Sequence, residues 1–374
     1  MRLSYSNIKD SILSVKKDKR TDVFHFGIDN LFPQLVEELI NQSVTSKTCV
    51  DKVAKAMYGK SFGDIGKISI NADGQSLNEV LRIASREYAK HSNVFIHIGY
   101  NGELKVNSIK VIPVAQVRVG KNDDNGYSGK YIIYNNWDKT QGRFDAKNFK
   151  YIDRYNPLKN VIESQIEAAG SIIKYKGQLL HIQKDSNSIY SLSDLNPVLS
   201  EALLEKNSQT FRSRGAEKGF LNTKLMTVQP FSSDDERSDF KNTLENLQGA
   251  DNAGNVLLLE ASQASDDLAS QVKLDDLSSK YNDKLFEYSD AQAEKNITKA
   301  FGVPMVLIDT TNDGLFGNSG EMLLEAKKQL WESREEERDM IEEVFVKLMN
   351  NFKTPITQDL TIISPFNTEP TNDN

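Results

Sequence analysis

The chain has 374 residues, 38% of them hydrophobic and 26% charged, with a mean hydropathy of -0.51. That length exceeds a usual single domain and predicts two or three structural units. The net charge of -7 and pI near 5.4 argue against a broad basic face that grips phosphates, and the single cysteine, Cys49, excludes intrachain disulfides and Cys-cluster metal sites.

The opening MRLSYSNIKD lacks the apolar core of a signal peptide, and the aliphatic run Val256 to Leu259 is far short of a membrane span. A reducing, cytoplasm-like compartment is expected. Residues 1–30 are polar, with Lys16, Lys17, Lys19 and Arg20, and are expected to form a mobile arm. Pro33 opens a predicted helix carrying Leu35, Val36, Leu39 and Ile40. A second follows with Val50, Val53, Ala54 and Met57 on one side, stopped at Gly59. Ser76 and Glu79 have the spacing of a capping box ahead of Leu77, Val80, Leu81, Ala84 and Tyr88.

Strand patterns come next, at Val94–Ile98, Ile109–Ile112, Val117–Val119, Tyr131–Tyr134 and Leu179–Ile182, with a hairpin connection over Lys121–Gly129. Asn196-Pro197 suits a helix start, and that helix is expected to exit at Arg212–Gly215. A small acidic module follows, of extended chain over Leu221–Val228, a helix and extended chain over Asn255–Glu260. Ser233 and Glu236 cap its helix, whose apolar face is Phe240, Leu244 and Leu247. Ala261–Leu274 reads as a link. Leu277, Tyr281, Leu285 and Tyr288 then mark a helix running to Phe301. A last helix, about Ser319 to Asn350, would be roughly 45 Å long at 1.5 Å per residue. The tail beyond Phe352 is expected to be irregular. The fold class is α+β.

Catalytic and metal-binding patterns are weak. His25, His91, His97 and His181 show no ligand spacing, and no nucleotide-binding or nucleophile-elbow motif is present. Asp309–Gly314 departs from a calcium loop at Thr311 and Gly320. In the last helix Glu332–Asp339 is polar on every side. Such a segment is either a solvated span or a place where neighbouring copies exchange ion pairs.

The most informative segment is Lys299 to Glu321. A helix ends at Phe301, Gly302 is its stop, Val303-Pro304 forbids continuation, a polar loop follows, and Asn318 and Glu321 introduce the long last helix. This order resembles the portal proteins of tailed bacteriophages, over about Leu31 to Asn350. The resemblance implies a mobile arm (1–30), an α/β wing (31–193) and a first stem helix (194–217). It further implies a clip (218–275), a second stem helix (276–302), a channel loop and channel helix (303–350) and a short tail (351–374).

In that family the wing is peripheral, the clip meets the packaging motor and then the tail adaptors, and the loop and long helix face a DNA channel. The implied assembly is a ring of a dozen subunits at the capsid vertex, passing double-stranded DNA for packaging and ejection. Implied partners are the terminase large subunit, the major capsid or scaffold protein and a head–tail adaptor. The implied location is the virion, with host cytoplasm during assembly. No catalytic residue, cofactor, metal or membrane is implied.

Thr310, Thr311, Asn312, Asp313 and Gly314 become channel-loop residues. Arg334, Glu335, Glu337 and Arg338 fall at a subunit interface, which favours the second reading of the polar segment. The sequence departs from the family in two respects. No proline interrupts the last helix, so a straighter helix is expected, and the C-terminal part is short, which argues against a crown. The competing readings are a soluble hydrolase or nuclease, and another ring-forming head–tail connector.

Overall fold

The computed structural model describes residues 17–18, 23–120, 129–138, 148–217, 224–228, 231, 233–235, 237–239, 242, 256–260, 272–276, 283–309, 320–356, 358 and 360–366. The chain divides into two units, one of Met1–Ala202 with Glu294–Asn374, the other of Leu203–Ala293.

The first unit opens with a short antiparallel pair, β1 (Lys17–Asp18) and β2 (Val23–Phe24). Part of the arm expected over residues 1–30 is therefore paired. Val23 joins a cluster with Ile132, Trp137 and Phe149, and Phe26 stacks on Tyr190 at 4.2 Å. Burial of these apolar side chains fixes Val23 to Asn30 to the body.

Three helices follow: α1 (Phe32–Gln42), α2 (Val44–Tyr58) and α3 (Leu77–His91). Each buries the stripe expected of it, except that Ala54 is only partly covered. Gly59 ends α2 at φ 54, and the Ser76–Glu79 capping box is complete in both directions. Such a cap is worth about 0.5–2 kcal/mol.

The sheet has six strands in the order β4-β3-β8-β7-β6-β5, formed by β3 (Asn93–Tyr100), β4 (Val106–Ile112), β5 (Val117–Val119), β6 (Lys130–Ile133), β7 (Lys150–Arg154) and β8 (Gln178–Gln183). All pairings are antiparallel except β7 with β8, which touch only at Asp153↔Gln178 and Arg154↔Leu179. Helix α3 packs against β3 and β4. The sequence pattern missed β7 and helix α4 (Lys159–Ala169), because each buries a single side chain, Ile152 and Ile162. The expected hairpin over 121–129 lies outside the described residues except for Gly129.

The second unit holds the end of α5 (Leu199–Glu217), the start of α6 (Asp283–Ala300) and a three-stranded sheet. A 3-10 turn, Asn196–Val198, precedes α5, and the side-chain oxygen of Asn196 has no partner, so it does not act as the expected cap. The helix continues through Gly215. Arg212 pairs with Asp290 of α6 at 3.0 Å. In the sheet, β9 (Lys224–Val228) is central, parallel to β10 (Val256–Glu260) and antiparallel to β11 (Val272–Asp276). The expected link therefore ends in a strand that begins at Val272. Phe240, Leu244 and Leu247 lie outside the described residues, as do Leu277 and Tyr281. Tyr288 is exposed on α6.

The chain closes in the first unit with α7 (Gly320–Glu332) and α8 (Glu335–Asn350), which pack against α2. The single 45 Å helix is thus corrected to two helices with a break at Ser333–Arg334 that needs no proline. The tail is irregular but not loose. Phe352, Leu360 and Ile362 are buried, and Lys353 donates its N–H to Val106 at 2.7 Å.

Candidate functional site

The segment Phe301–Pro304 is a helix stop built in full. Gly302 sits at φ 61; its N–H reaches the Lys299 carbonyl at 3.1 Å, and the Val303 N–H reaches the Thr298 carbonyl at 3.0 Å. This is the paired bonding of a Schellman motif, and the left-handed backbone suits a residue without Cβ. Phe301 and Val303 are buried on either side, and Pro304 starts a 3-10 turn over Met305–Leu307 with Leu307 inside. The expected loop from Met305 is therefore anchored at its beginning. Thr310, Thr311, Asn312, Asp313, Gly314 and Asn318 lie outside the described residues. Glu321 is exposed in the first turn of α7.

The helix break and the Phe301 turn are one structure. Arg334 leaves the helix at φ -113 and ψ 18, and its Nη2 donates to the Phe301 carbonyl. Its Nη1 donates to Glu337 at 3.0 Å and to Asp194 at 3.3 Å, and Asp194 also takes Lys184 at 2.9 Å. Four elements distant in sequence thus share one ionic junction. The carbonyl of Phe301 is one that α6 cannot satisfy within itself, so the guanidinium completes the helix end.

Arg338, one turn on, lies over the Trp331 ring at 3.5 Å and donates to the Trp331 carbonyl. That carbonyl also accepts the Arg334 backbone N–H at 3.2 Å. Burial pulls the Arg338 guanidinium below its ordinary pKa, while Asp339 and Glu335 oppose the shift.

Arg334 and Arg338, expected at a subunit interface, turn into their own chain. Both are 6% exposed, and their charges are met within the chain. A buried guanidinium must have local acceptors, and these two have them. Glu337 is committed to Arg334. Glu335 remains exposed and has no ion-pair partner among the described residues.

A sequence signal for this did exist. The arginines continue the stripe Ala326, Leu330, Arg334, Arg338, Ile341, Phe345 and Leu348, all of it buried, at steps of three and four residues. A third buried arginine went unremarked on β5. Arg118 donates to Asn30 Oδ1 at 2.5 Å, to the Asn30 carbonyl at 2.6 Å and to the Val117 carbonyl at 2.7 Å. Burial lowers its pKa to about 10, against the pull of Tyr190 and Asp29.

Among the described residues one set of metal-type ligands converges, Glu37, Glu87 and His91. The Lys90 ammonium already stands 3.0 Å from Glu87 and 3.6 Å from Glu37, and Glu87 also accepts the Val114 N–H at 3.0 Å. The ammonium thus meets part of the carboxylate charge without an ion. His97 is a strand residue facing the Lys176 carbonyl at 2.6 Å, and burial lowers its pKa. No helix among the described residues is long and apolar enough to cross a membrane.

No protein-family model matches the chain, and no curated protein matches it. Solved structures do. A chain in the neck of an empty gene transfer agent particle, computed with C6 symmetry, matches at TM-score 0.52 with 14% identity, covering 85% of this chain and 81% of that chain. The neck of the native gene transfer agent particle, computed with C12 symmetry, matches at TM-score 0.52 and 14% identity over 86% and 81%. An HK97-family phage portal protein from Corynebacterium diphtheriae aligns over 77% and 82% with 10% identity, at a TM-score of 0.39, too low to establish a common fold. The chain therefore has the fold of a particle-neck protein, the kind of fold expected from the Phe301–Glu321 resemblance.

Proposed function

We propose that the chain is a portal protein, a ring-shaped conduit for double-stranded DNA at the capsid vertex of a tailed phage or phage-derived particle. The carrying observation is the fold shared with particle-neck chains over 85% of this chain, together with the completed helix stop at Phe301–Pro304 leading into the last helices. On this reading residues 31–193 are the wing and 194–217 and 276–302 the stem helices. Residues 218–275 are the clip, and 303–350 the channel segment, with α7 and α8 as its two helical pieces. The ring has a dozen copies, for which the C12 symmetry of one neighbour's neck is the support.

The chain acts without chemistry of its own. The packaging motor supplies the ATPase, the clip docks the terminase large subunit and later the head–tail adaptor, and the capsid or scaffold protein holds the rim. An acidic chain lets DNA slide, because a lumen without dense Lys and Arg releases few counterions and grips weakly. A connector with no clip fits less well, since the second unit carries its own three-stranded sheet.

Electron microscopy of the purified protein is the test. Rings with a central hole are expected, and a monomer at micromolar concentration in low and moderate salt would overturn the reading.

A further inference from the structure

The ionic junction has an outer side in which carboxylates outnumber cations. Tyr88 of α3, Lys184 after β8, and Glu335, Glu336, Glu337, Asp339, Met340 and Glu343 of α8 line an open cleft, in which Lys184 is already paired with Asp194 at 2.9 Å. Glu337 turns to Arg334 and Glu343 to Lys347, but Glu335, Glu336 and Asp339 have no ion-pair partner among the described residues. At the cleft wall the Tyr88 side chain is 3% exposed, and its hydroxyl has no hydrogen-bond partner. A buried phenol without a partner is destabilising. Its position beside an unbalanced row of carboxylates gives the site both a charge and a directional acceptor.

Two cationic occupants fit that chemistry, a metal ion and an ammonium group. The carboxylates do not converge. The set of ligand atoms close enough to share an ion among the described residues is Glu37, Glu87 and His91, elsewhere in the unit. Spread acceptors suit a flexible, strongly hydrated ammonium that hydrogen-bonds in several directions.

We infer that this cleft receives a lysine of a second copy of the chain, and that Lys295 and Lys299 of α6 supply it. The inference rests on the ring reading. Lys295 and Lys299 are one turn apart, exposed, and without ion-pair partners among the described residues. A closed ring relates neighbours by rotation alone, so surfaces that meet must lie at one level along the axis. Lys299 is two residues from Phe301, whose carbonyl Arg334 holds, and Arg334 directly precedes the first cleft residue, Glu335. The lysines and the cleft are therefore level with each other, as a head-to-tail contact requires.

The test is zero-length carbodiimide coupling on rings assembled from natural-abundance and nitrogen-15-labelled copies. Peptides of mixed isotope that join Glu336 or Asp339 to Lys295 or Lys299 are expected. Glu336→Lys with Asp339→Lys should raise the concentration for half-assembly at least tenfold, and adding Lys295→Glu with Lys299→Glu should recover most of it. Tyr88→Phe, which removes only the hydroxyl, should weaken assembly by a few-fold. Intact rings that give no inter-copy coupling at the cleft, or that tolerate the double reversal, would overturn this contact and leave the ring reading standing. A chain that never assembles would overturn both.

Discussion

At the residue scale, Arg334 is the side chain on which the junction of the Phe301 turn, Asp194 and α8 depends. It gives one donor to a helix end and another to a pair of carboxylates whose side chains are only 16% and 12% exposed. Removing it strands Glu337 as a poorly solvated charge, leaves Asp194 with Lys184 alone, and returns the Phe301 carbonyl to an unpaired state. Breaking a buried pair in this way costs about 3–5 kcal/mol. Arg334→Met should therefore lower stability by that amount in urea unfolding. Arg334→Lys should recover little, because a point charge lacks the planar fork that spans Phe301, Asp194 and Glu337. A loss under 1 kcal/mol for Arg334→Met would mean that the junction is solvated and the helix break has another cause. Arg338 is different in kind, since its guanidinium lies on Trp331 and part of its contribution is ring contact.

At the element scale, the helix stop and the helix break were legible to different degrees. Gly302 and Pro304 announce the stop by residue type, and so does the capping box at Ser76, because each has a backbone requirement that few residues meet. The break at Ser333 carries no such mark. Glu332–Asp339 contains good helix formers and no proline, and which charged residue turns inward depends on acceptors at Asp194 and Phe301, far away in sequence. The periodic stripe through Arg334 and Arg338 was the available clue, hidden because arginine on a core face is rarely expected. Strand β7 and helix α4 were missed for the opposite reason, since each buries too little to leave a pattern.

The stop itself allows a measured comparison. A Cβ built on Gly302 would meet nothing nearer than the Arg334 guanidinium at 3.6 Å, an ordinary contact. Gly302→Ala therefore meets only the backbone penalty of a left-handed residue, about 1–2 kcal/mol. Urea unfolding should rank it clearly below Arg334→Met. Equal losses would show that the turn and the ionic junction cannot move independently.

At the scale of the whole molecule, the proposed channel depends on residues 310–318 at the far end of that anchored turn. The chain enters the segment from Met305–Leu307, with Leu307 buried, and leaves it into α7 at Gly320, and the sequence between is short, free of cations and polar apart from Leu315 and Phe316. Thr310, Thr311, Asn312, Asp313 and Gly314 offer hydroxyls, an amide and a carboxylate, and on the portal reading they narrow a lumen without binding the phosphates that pass. Asn312→Lys changes that balance at one atom per copy and adds a ring of ammonium groups to the constriction. Each phosphate contact so formed steepens the salt dependence of binding by about 0.9 in log K against log salt. Packaging should slow most in dilute salt and recover as the Debye length shortens from about 10 Å at 0.1 M toward 3 Å at 1 M. Assembly should be unaffected, which sizing of the variant rings checks separately. Rates of packaging and ejection that match the parent protein at every salt concentration would place these residues away from the DNA.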